Sequence, residues 1–236
     1  MAVSDLVLLR HGESTANADD VFGGWLDVDL TARGRREAVR AGELIRDAGL
    51  RPAAVHTSLL RRAVDTADLV LDALKRTSVE VHRSWQLNER HYGRLQGRTR
   101  TSVRQEFGDA PYDEIRRSYD VAPPPAGLPG AVVDGESLAD VRRRVVAYWD
   151  TAVAADLRAG RTTIVVAHGN SLRALCMHLD GLSPQQVTTL NVPTGVPLLY
   201  QLDDGLVPRT AGGSYLDADL ALAGIAEVRA QGRGRK

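Results

Sequence analysis

Two histidines stand at matching places in the chain. The apolar run Leu6-Val-Leu-Leu9 ends in Arg10-His11-Gly12, and Thr163-Ile-Val-Val-Ala167 ends in His168-Gly169-Asn170. Both runs have strand character and give way to polar residues after the His-Gly pair. In open α/β sheets ligands bind beyond the carboxyl ends of the strands, so both imidazoles can reach one pocket despite their separation in sequence. A neutral imidazole is a nucleophile at physiological pH, its unperturbed pKa being about 6.5. It can accept a phosphoryl group and pass it on, a reaction that needs mainly positioning and charge stabilisation.

The cations for that chemistry are Arg10, Arg62, Arg90, Arg100, Arg116 and Arg117. A phosphorylated three-carbon acid carries about −2.5 to −3 charge at pH 7, counting about −1.5 to −2 for the phosphate. Several fixed guanidinium groups match it, and no metal is expected. Arg61 and Arg62 fall in the first turn of a helix for which Ser58 is the expected cap. A cation there opposes the helix dipole, and an anion bound at the same end would offset the cost. Adjacent helical residues point in different directions, so Arg62 is the better site candidate and Arg61 reads equally well as a solvated surface residue. Glu89, in a polar loop without sustained periodicity from Trp85 to Gly97, is the candidate for proton transfer to a substrate hydroxyl. Its alternative is a surface ion pair with Arg90.

Other chemistries lack their patterns. There is no cysteine pair for zinc, and His168 and His178 have no ligand spacing of a metal site. Ser171 lacks a Gly-x-Ser-x-Gly elbow, and Gly232-Arg-Gly234 follows no strand, which excludes a dinucleotide fingerprint.

The elements that must position these residues alternate between strand and helix. After the first strand, Asp19 to Leu30 reads as a loop. Thr31 caps a helix with Ala38, Ala41, Leu44, Ile45 and Ala48 on one face, ended by Gly49. Ala53 to Thr57 is a short strand, followed by a helix with Leu60, Ala63, Val64, Ala67 and Leu71 on its stripe. Val79 to Val81 is a further strand. Short helices are expected at Thr101 to Phe107 and Tyr112 to Tyr119, then a proline- and glycine-rich connection over 121–134 that could act as a lid. A long helix opens at Gly135-Glu-Ser137, burying Leu138, Val141, Val145, Tyr148, Trp149 and Ala152. Pro184 to Leu190 is a short helix, Val196 to Leu202 a strand whose proline favours a sheet edge, and 211–236 a flexible tail.

The 236 residues suit one α/β domain spanning 1–236. Thirty basic residues balance thirty acidic ones, so no overall field draws the chain to nucleic acid or to an anionic membrane. Cys176 has no partner for an intrachain disulfide, which suits a reducing compartment. The start, Met-Ala-Val-Ser-Asp, has neither the basic nor the apolar region of a signal peptide, and no apolar run approaches spanning length. The cytoplasm is the expected compartment.

Five stretches together carry a family resemblance: Leu8-Leu-Arg-His-Gly-Glu-Ser14, Leu87-Asn-Glu-Arg-His-Tyr-Gly93, Arg116-Arg-Ser-Tyr-Asp120, Ala167-His-Gly-Asn-Ser-Leu-Arg-Ala174 and Leu190-Asn-Val-Pro-Thr-Gly-Val-Pro197. They resemble the cofactor-dependent phosphoglycerate mutases of the histidine phosphatase superfamily across nearly the whole chain. The first and fourth mark the superfamily; the others are more specific to the mutases. The resemblance implies a three-layer α/β/α sandwich with a mostly parallel central sheet. It implies that His11 becomes phosphohistidine, primed by 2,3-bisphosphoglycerate, that Glu89 is the general acid and base, and that His168, Arg10 and Arg62 stabilise the transferring group. Substrate contacts are implied for Ser14, Asn17, Gly24, Tyr92, Arg116, Arg117, Gly169 and Asn170, and a homodimer or homotetramer is implied as the assembly.

The chain departs from that pattern in three places. Arg100 stands where the mutases usually have lysine, and Gly23 where they usually have threonine, both at substrate-binding positions. The segment 121–134 is shorter than the family's insertion, which helps cover the pocket and keep water from the phosphoenzyme. The leading expectation is an isomerase interconverting 3-phosphoglycerate and 2-phosphoglycerate. The alternatives are a phosphohistidine-dependent phosphatase acting on a small phosphorylated metabolite and, third, a non-catalytic metabolite-binding relative.

Overall fold

The structure, a computed structural model, describes residues 4–76, 78–127, 129–130 and 133–231. Its strands are β1 (Ser4–Arg10), β2 (Ala54–Thr57), β3 (Glu80–Arg83), β4 (Thr163–Ala167), β5 (Leu198–Leu202) and β6 (Ser214–Tyr215). The helices are α1 (Thr15–Ala18), α2 (Ala32–Asp47), α3 (Arg61–Leu74), α4 (Arg100–Phe107), α5 (Asp109–Arg117), α6 (Leu138–Tyr148), α7 (Ala154–Arg158), α8 (Gly169–Leu179), α9 (Pro184–Thr189) and α10 (Ala218–Ala230). A π-helical stretch, Trp149–Val153, joins α6 to α7.

The strands form one sheet in the order β3-β2-β4-β1-β5-β6. Pairs β3-β2, β2-β4 and β4-β1 are parallel, and the two pairs made by β5 are antiparallel. In β1, Leu6 and Leu8 face a core made with α6, α7 and α8, while Val7 and Leu9 face one made with α2 and α3. Burial on both faces explains why the central strands read as continuous apolar runs. The architecture is therefore helices on both sides of a mostly parallel sheet. A third cluster of Phe22, Leu95, Val103, Tyr112 and Ile115 supports α4 and α5 beside the carboxyl ends of the strands.

Three local expectations change, and one short helix is added. The addition is α1, between His11 and the expected loop from Asp19, held by a reciprocal Ser14–Asn17 capping box. Ser58 does not cap α3, whose N-cap is Leu60 without a side-chain bond; its hydroxyl turns inward to His168. Strand β5 is not an edge, because two-residue β6 pairs beyond it and Pro197 lies just ahead of the paired residues. Where composition led to a flexible tail over 211–236, the structure holds β6 and the 13-residue α10, capped by Asp217; residues 232–236 lie outside the described residues. No helix among the described residues is long and apolar enough to cross a membrane.

Candidate active site

The sheet register brings the two histidines together. Arg10 of β1 pairs with Ala167 of β4, so the next residues, His11 and His168, leave adjacent parallel strands side by side. Their ring centroids lie 4.9 Å apart. Both rings are buried. Gly12 is required by a close approach: a β-carbon there would stand 2.1 Å from the Gly34 carbonyl oxygen at the start of α2. The loop therefore lies flat on that helix end.

His11 is held in one protonation pattern. Its Nδ1 lies 2.7 Å from the Gly12 carbonyl oxygen. A carbonyl only accepts, so Nδ1 carries the proton and Nε2 keeps its lone pair. Arg62 Nε donates toward that Nε2 at 3.3 Å. Burial first, then the positive charges of Arg62 and Arg10, holds His11 well below the ordinary histidine pKa. Burial, again with Arg62 and the neighbouring His11, does the same to His168. Both rings are neutral at pH 7.

The cations are fixed by main-chain carbonyls. Arg62 donates from Nη2 to Gly24 O at 2.7 Å and from Nη1 to Leu26 O at 2.8 Å. Burial lowers its pKa to about 10, which leaves it charged. Gly24 has a φ of +50°, and a β-carbon there would meet the Gln96 amide at 2.2 Å; glycine lets that carbonyl reach Arg62. Arg10 donates from Nη1 to Val192 O at 2.8 Å. Arg61, by contrast, is exposed and paired with Asp29 at 2.9 Å, and the Asp27 carboxylate accepts from its backbone N–H at 2.7 Å. The anion at that helix end belongs to the chain itself.

Glu89 enters from the opposite wall. Its Oε1 accepts from Arg90 N at 2.7 Å, Asn170 N at 3.1 Å and Asn170 Nδ2 at 3.0 Å, so the first turn of α8 orients it. The Asn170 amide also donates to Tyr92 Oη at 3.0 Å and accepts from Arg173 Nη1 at 2.9 Å, which fixes its orientation. The main chain of the Glu89 loop is held by Arg144, which donates to the carbonyls of Gln86, Asn88 and Glu89. Arg144 is itself paired through two bonds with buried Glu136, at 2.7 and 2.8 Å. Trp25 Nε1 adds a bond to Glu89 O at 2.6 Å.

The resulting cavity is lined by Arg10, His11, Ser14, Asn17, Gly23, Gly24, Arg62, Glu89, Tyr92, Arg100, Arg116, Arg117, Gly169 and Asn170, all expected from the sequence. His168 sits fully buried behind His11. Arg90 does not line the cavity: it is fully buried, donates to Ile115 O and lies 5.0 Å from the centre of the Tyr92 ring. Its neighbour Glu89 takes the inward direction instead. Arg173, Asn191, Val228 and Gln231 also line it, with no site role expected of them from the sequence. Arg116 donates to Gln231 O at 2.6 Å and Arg117 to Asn191 Oδ1 at 3.0 Å, so the end of α10 closes one side.

Six arginines and one carboxylate among the described residues make this a polyanion site. Buried Arg10 Nε, Arg100 Nε and Arg173 Nε have no hydrogen-bond partner. Orphaned buried donors of this kind are costly, and phosphate and carboxylate oxygens satisfy them. A bisphosphorylated three-carbon acid therefore fits the residues present. The arrangement combines a neutral imidazole, fixed cations and an oriented carboxylate, the kinds of group that phosphoryl transfer uses.

The chain belongs to the histidine phosphatase superfamily, branch 1, whose family model matches residues 6–205. Within it, the chain is similar to the 2,3-bisphosphoglycerate-dependent phosphoglycerate mutase of Thermobifida fusca (strain YX), with 49% identity over 98% of this chain and 100% of that one. It is 50% identical to the enzyme of the same name from Streptomyces griseus, over 97% of this chain and 96% of that one. Among solved structures it is similar to a mycobacterial glucosyl-3-phosphoglycerate phosphatase in complex with VO3, with TM-score 0.70, 28% identity and coverage of 89% of this chain and 100% of the other. A structure described as mycobacterial hydrolase 1 matches with TM-score 0.73 and 26% identity, over 90% of this chain and 99% of that chain.

Proposed function

We propose that the chain is a 2,3-bisphosphoglycerate-dependent phosphoglycerate mutase, interconverting 3-phosphoglycerate and 2-phosphoglycerate through phosphorylated His11. The observation that carries the reading is the pairing of His11, with its lone pair on Nε2, and Glu89, oriented by α8, across a cavity of six arginines. The near-full-length relatives at about half identity bear the same activity in their names.

Each residue then has a task. His11 Nε2 accepts the phosphoryl group while Nδ1 stays bonded to Gly12 O, so the ring cannot turn. Arg10 and Arg62, with His168 behind them, face the charge that develops on the transferring oxygens. Glu89 takes the proton from the attacking hydroxyl and returns it to the leaving oxygen. Arg100, Arg116, Arg117 and Arg173 hold the carboxylate and second phosphate. When bound, 2,3-bisphosphoglycerate supplies the phosphoryl group that primes His11, and the same arginines hold it. Assembly as a dimer or tetramer and a cytoplasmic setting belong to the same reading.

A phosphatase is the second reading, favoured by the solved relatives named as phosphatases and by the short segment 121–134. The described part of that segment contains no helix or strand; the Asp134 carboxylate ties it to the N–H groups of Ala126 and Gly127. Phosphorus NMR of 3-phosphoglycerate with purified protein, with and without catalytic 2,3-bisphosphoglycerate, separates the two. Cofactor-stimulated 2-phosphoglycerate with little free phosphate is the expected result. Dominant free phosphate would establish the hydrolase instead.

A further inference from the structure

A second cluster of titratable groups lies away from the cavity, where the sheet edge meets α7. His56 of β2 and His82 of β3 are register partners on parallel strands, and their rings stack with centroids 4.9 Å apart. Asp156 of α7 reaches both, at 2.8 Å from His56 Nε2 to Oδ2 and 3.9 Å from His82 Nε2. Glu80 Oε1 lies 3.3 Å from His82 Nε2. The candidate ligand atoms of His56, His82 and Asp156 all fall within 4.8 Å of one another.

The helix is specially wound to build this cluster. Tyr148 and Asp156 are eight residues apart, which on a regular α-helix turns them about 80° from each other. The π-helical stretch between them absorbs one extra residue and brings the pair to within about 20° of one face. Both then reach the same ring from opposite ends, since Tyr148 Oη lies 3.0 Å from His56 Nδ1. Single π turns inside α-helices are frequent at functional sites, and the proposed function makes no use of this one.

We propose that His56 Nε2, His82 Nε2 and Asp156 Oδ2 form a zinc-type divalent metal site, with the fourth position open to Glu80 or water. Two imidazoles and a carboxylate are borderline donors that suit zinc and its first-row neighbours, not magnesium or calcium. A tetrahedral zinc centre with bonds of about 2.0–2.2 Å keeps its ligand atoms about 3.3 Å apart. The observed 2.8 and 3.9 Å bracket that separation.

The surroundings are those of a metal's outer shell. Arg161 Nη1 binds the far oxygens, Asp156 Oδ1 at 3.0 Å and Glu80 Oε2 at 2.9 Å. Each carboxylate is thereby turned to present its other oxygen to a histidine. Two carboxylates against one guanidinium leave a net negative charge for a cation to neutralise. In the metal-free structure the acceptor-only Asp156 Oδ2 places the His56 proton on Nε2; a metal taking that position shifts the single imidazole proton to Nδ1, which then donates to Tyr148 Oη, the arrangement usual for a metal-bound histidine. The ion would tie edge strand β3 to α7.

The test is zinc titration of chelator-stripped full-length protein by calorimetry, with the visible absorption of a cobalt(II) form as a second readout. His11→Asn is included so that metal held by the catalytic histidines is counted separately. The expected result is one zinc per chain that survives His11→Asn and gives a tetrahedral cobalt spectrum. His82→Ala and Asp156→Asn should weaken it at least tenfold, and Tyr148→Phe about 10–100-fold. Because His82 is partly exposed, its alanine variant is expected to remain folded with unchanged mutase activity. No zinc uptake by the wild-type protein, or uptake unchanged in His82→Ala and Asp156→Asn, would overturn the assignment.

Discussion

Arg62 Nε points at His11 Nε2 from 3.3 Å while both of its terminal nitrogens are fixed on the carbonyls of Gly24 and Leu26. A guanidinium can satisfy three directions at once; an ammonium is a point charge on a flexible stem. Arg62→Lys therefore keeps the charge and loses the aim. We expect kcat to fall about 10²–10³-fold, the loss typical of removing one preorganised donor, with a normal circular dichroism spectrum. Kinetics within a few fold of wild type would show that charge alone suffices.

Glu89 accepts three hydrogen bonds through Oε1, all of which an amide oxygen can also accept. Glu89→Gln thus preserves the loop and removes only the basicity. Transfer between phosphohistidine and substrate should slow about 10²–10⁴-fold, with KM changed little. Rapid-quench measurement of His11 phosphorylation would expose the opposite case, an unchanged rate, in which Glu89 has no part in proton transfer.

The support for Glu89 is where sequence and structure part company. His11 and His168 were legible because strand periodicity ends at each of them, and the parallel register of β1 and β4 needs only that pattern to bring them together. Arg62 was legible from its place in the first turn of α3. Arg144 and Glu136 were not: they lie on and just before α6, more than forty residues from the loop they hold, and read as ordinary surface charges on an amphipathic helix. Arg90 reads from the sequence as a cation of the site yet lies buried behind it, because a loop without periodicity does not say which way a side chain points. The closure of the cavity by α10 was hidden for a similar reason. An alanine-rich segment after two glycines has little amphipathic signal, and what fixes it is Arg116 bonding to the carbonyls of Val228 and Gln231.

Arg144 gives a direct check on that hidden support. Removing one partner of a buried ion pair leaves an uncompensated charge and costs about 3–5 kcal/mol. Arg144→Met should show that loss in urea denaturation. The double variant Arg144→Met with Glu136→Leu should regain much of the stability, because a buried pair is often replaceable by apolar residues. Activity should stay low in both, since the carbonyls of Asn88 and Glu89 remain unheld. A double variant that recovers activity with stability would mean the pair serves the fold alone.

The depressed pKa values of His11 and His168 set a pH dependence with a definite sign. In the unfolded chain each imidazole takes a proton as the pH falls through about 6.5. In the native protein burial and the neighbouring arginines hold both neutral to lower pH. Between those values the unfolded state binds more protons, so stability falls as the solution is acidified below about 6.5. One such group contributes at most about 1.4 kcal/mol between pH 7.5 and 5.5, the limit in which the native ring stays neutral throughout. His11→Asn should therefore flatten the stability difference between those two pH values by up to that amount, read from urea midpoints at constant m-value. The same argument places the acid limb of His11 phosphorylation below pH 6.5, because the nucleophile keeps its lone pair there. A limb centred at 6.5 together with an unflattened variant would mean that the ring titrates as if it were exposed.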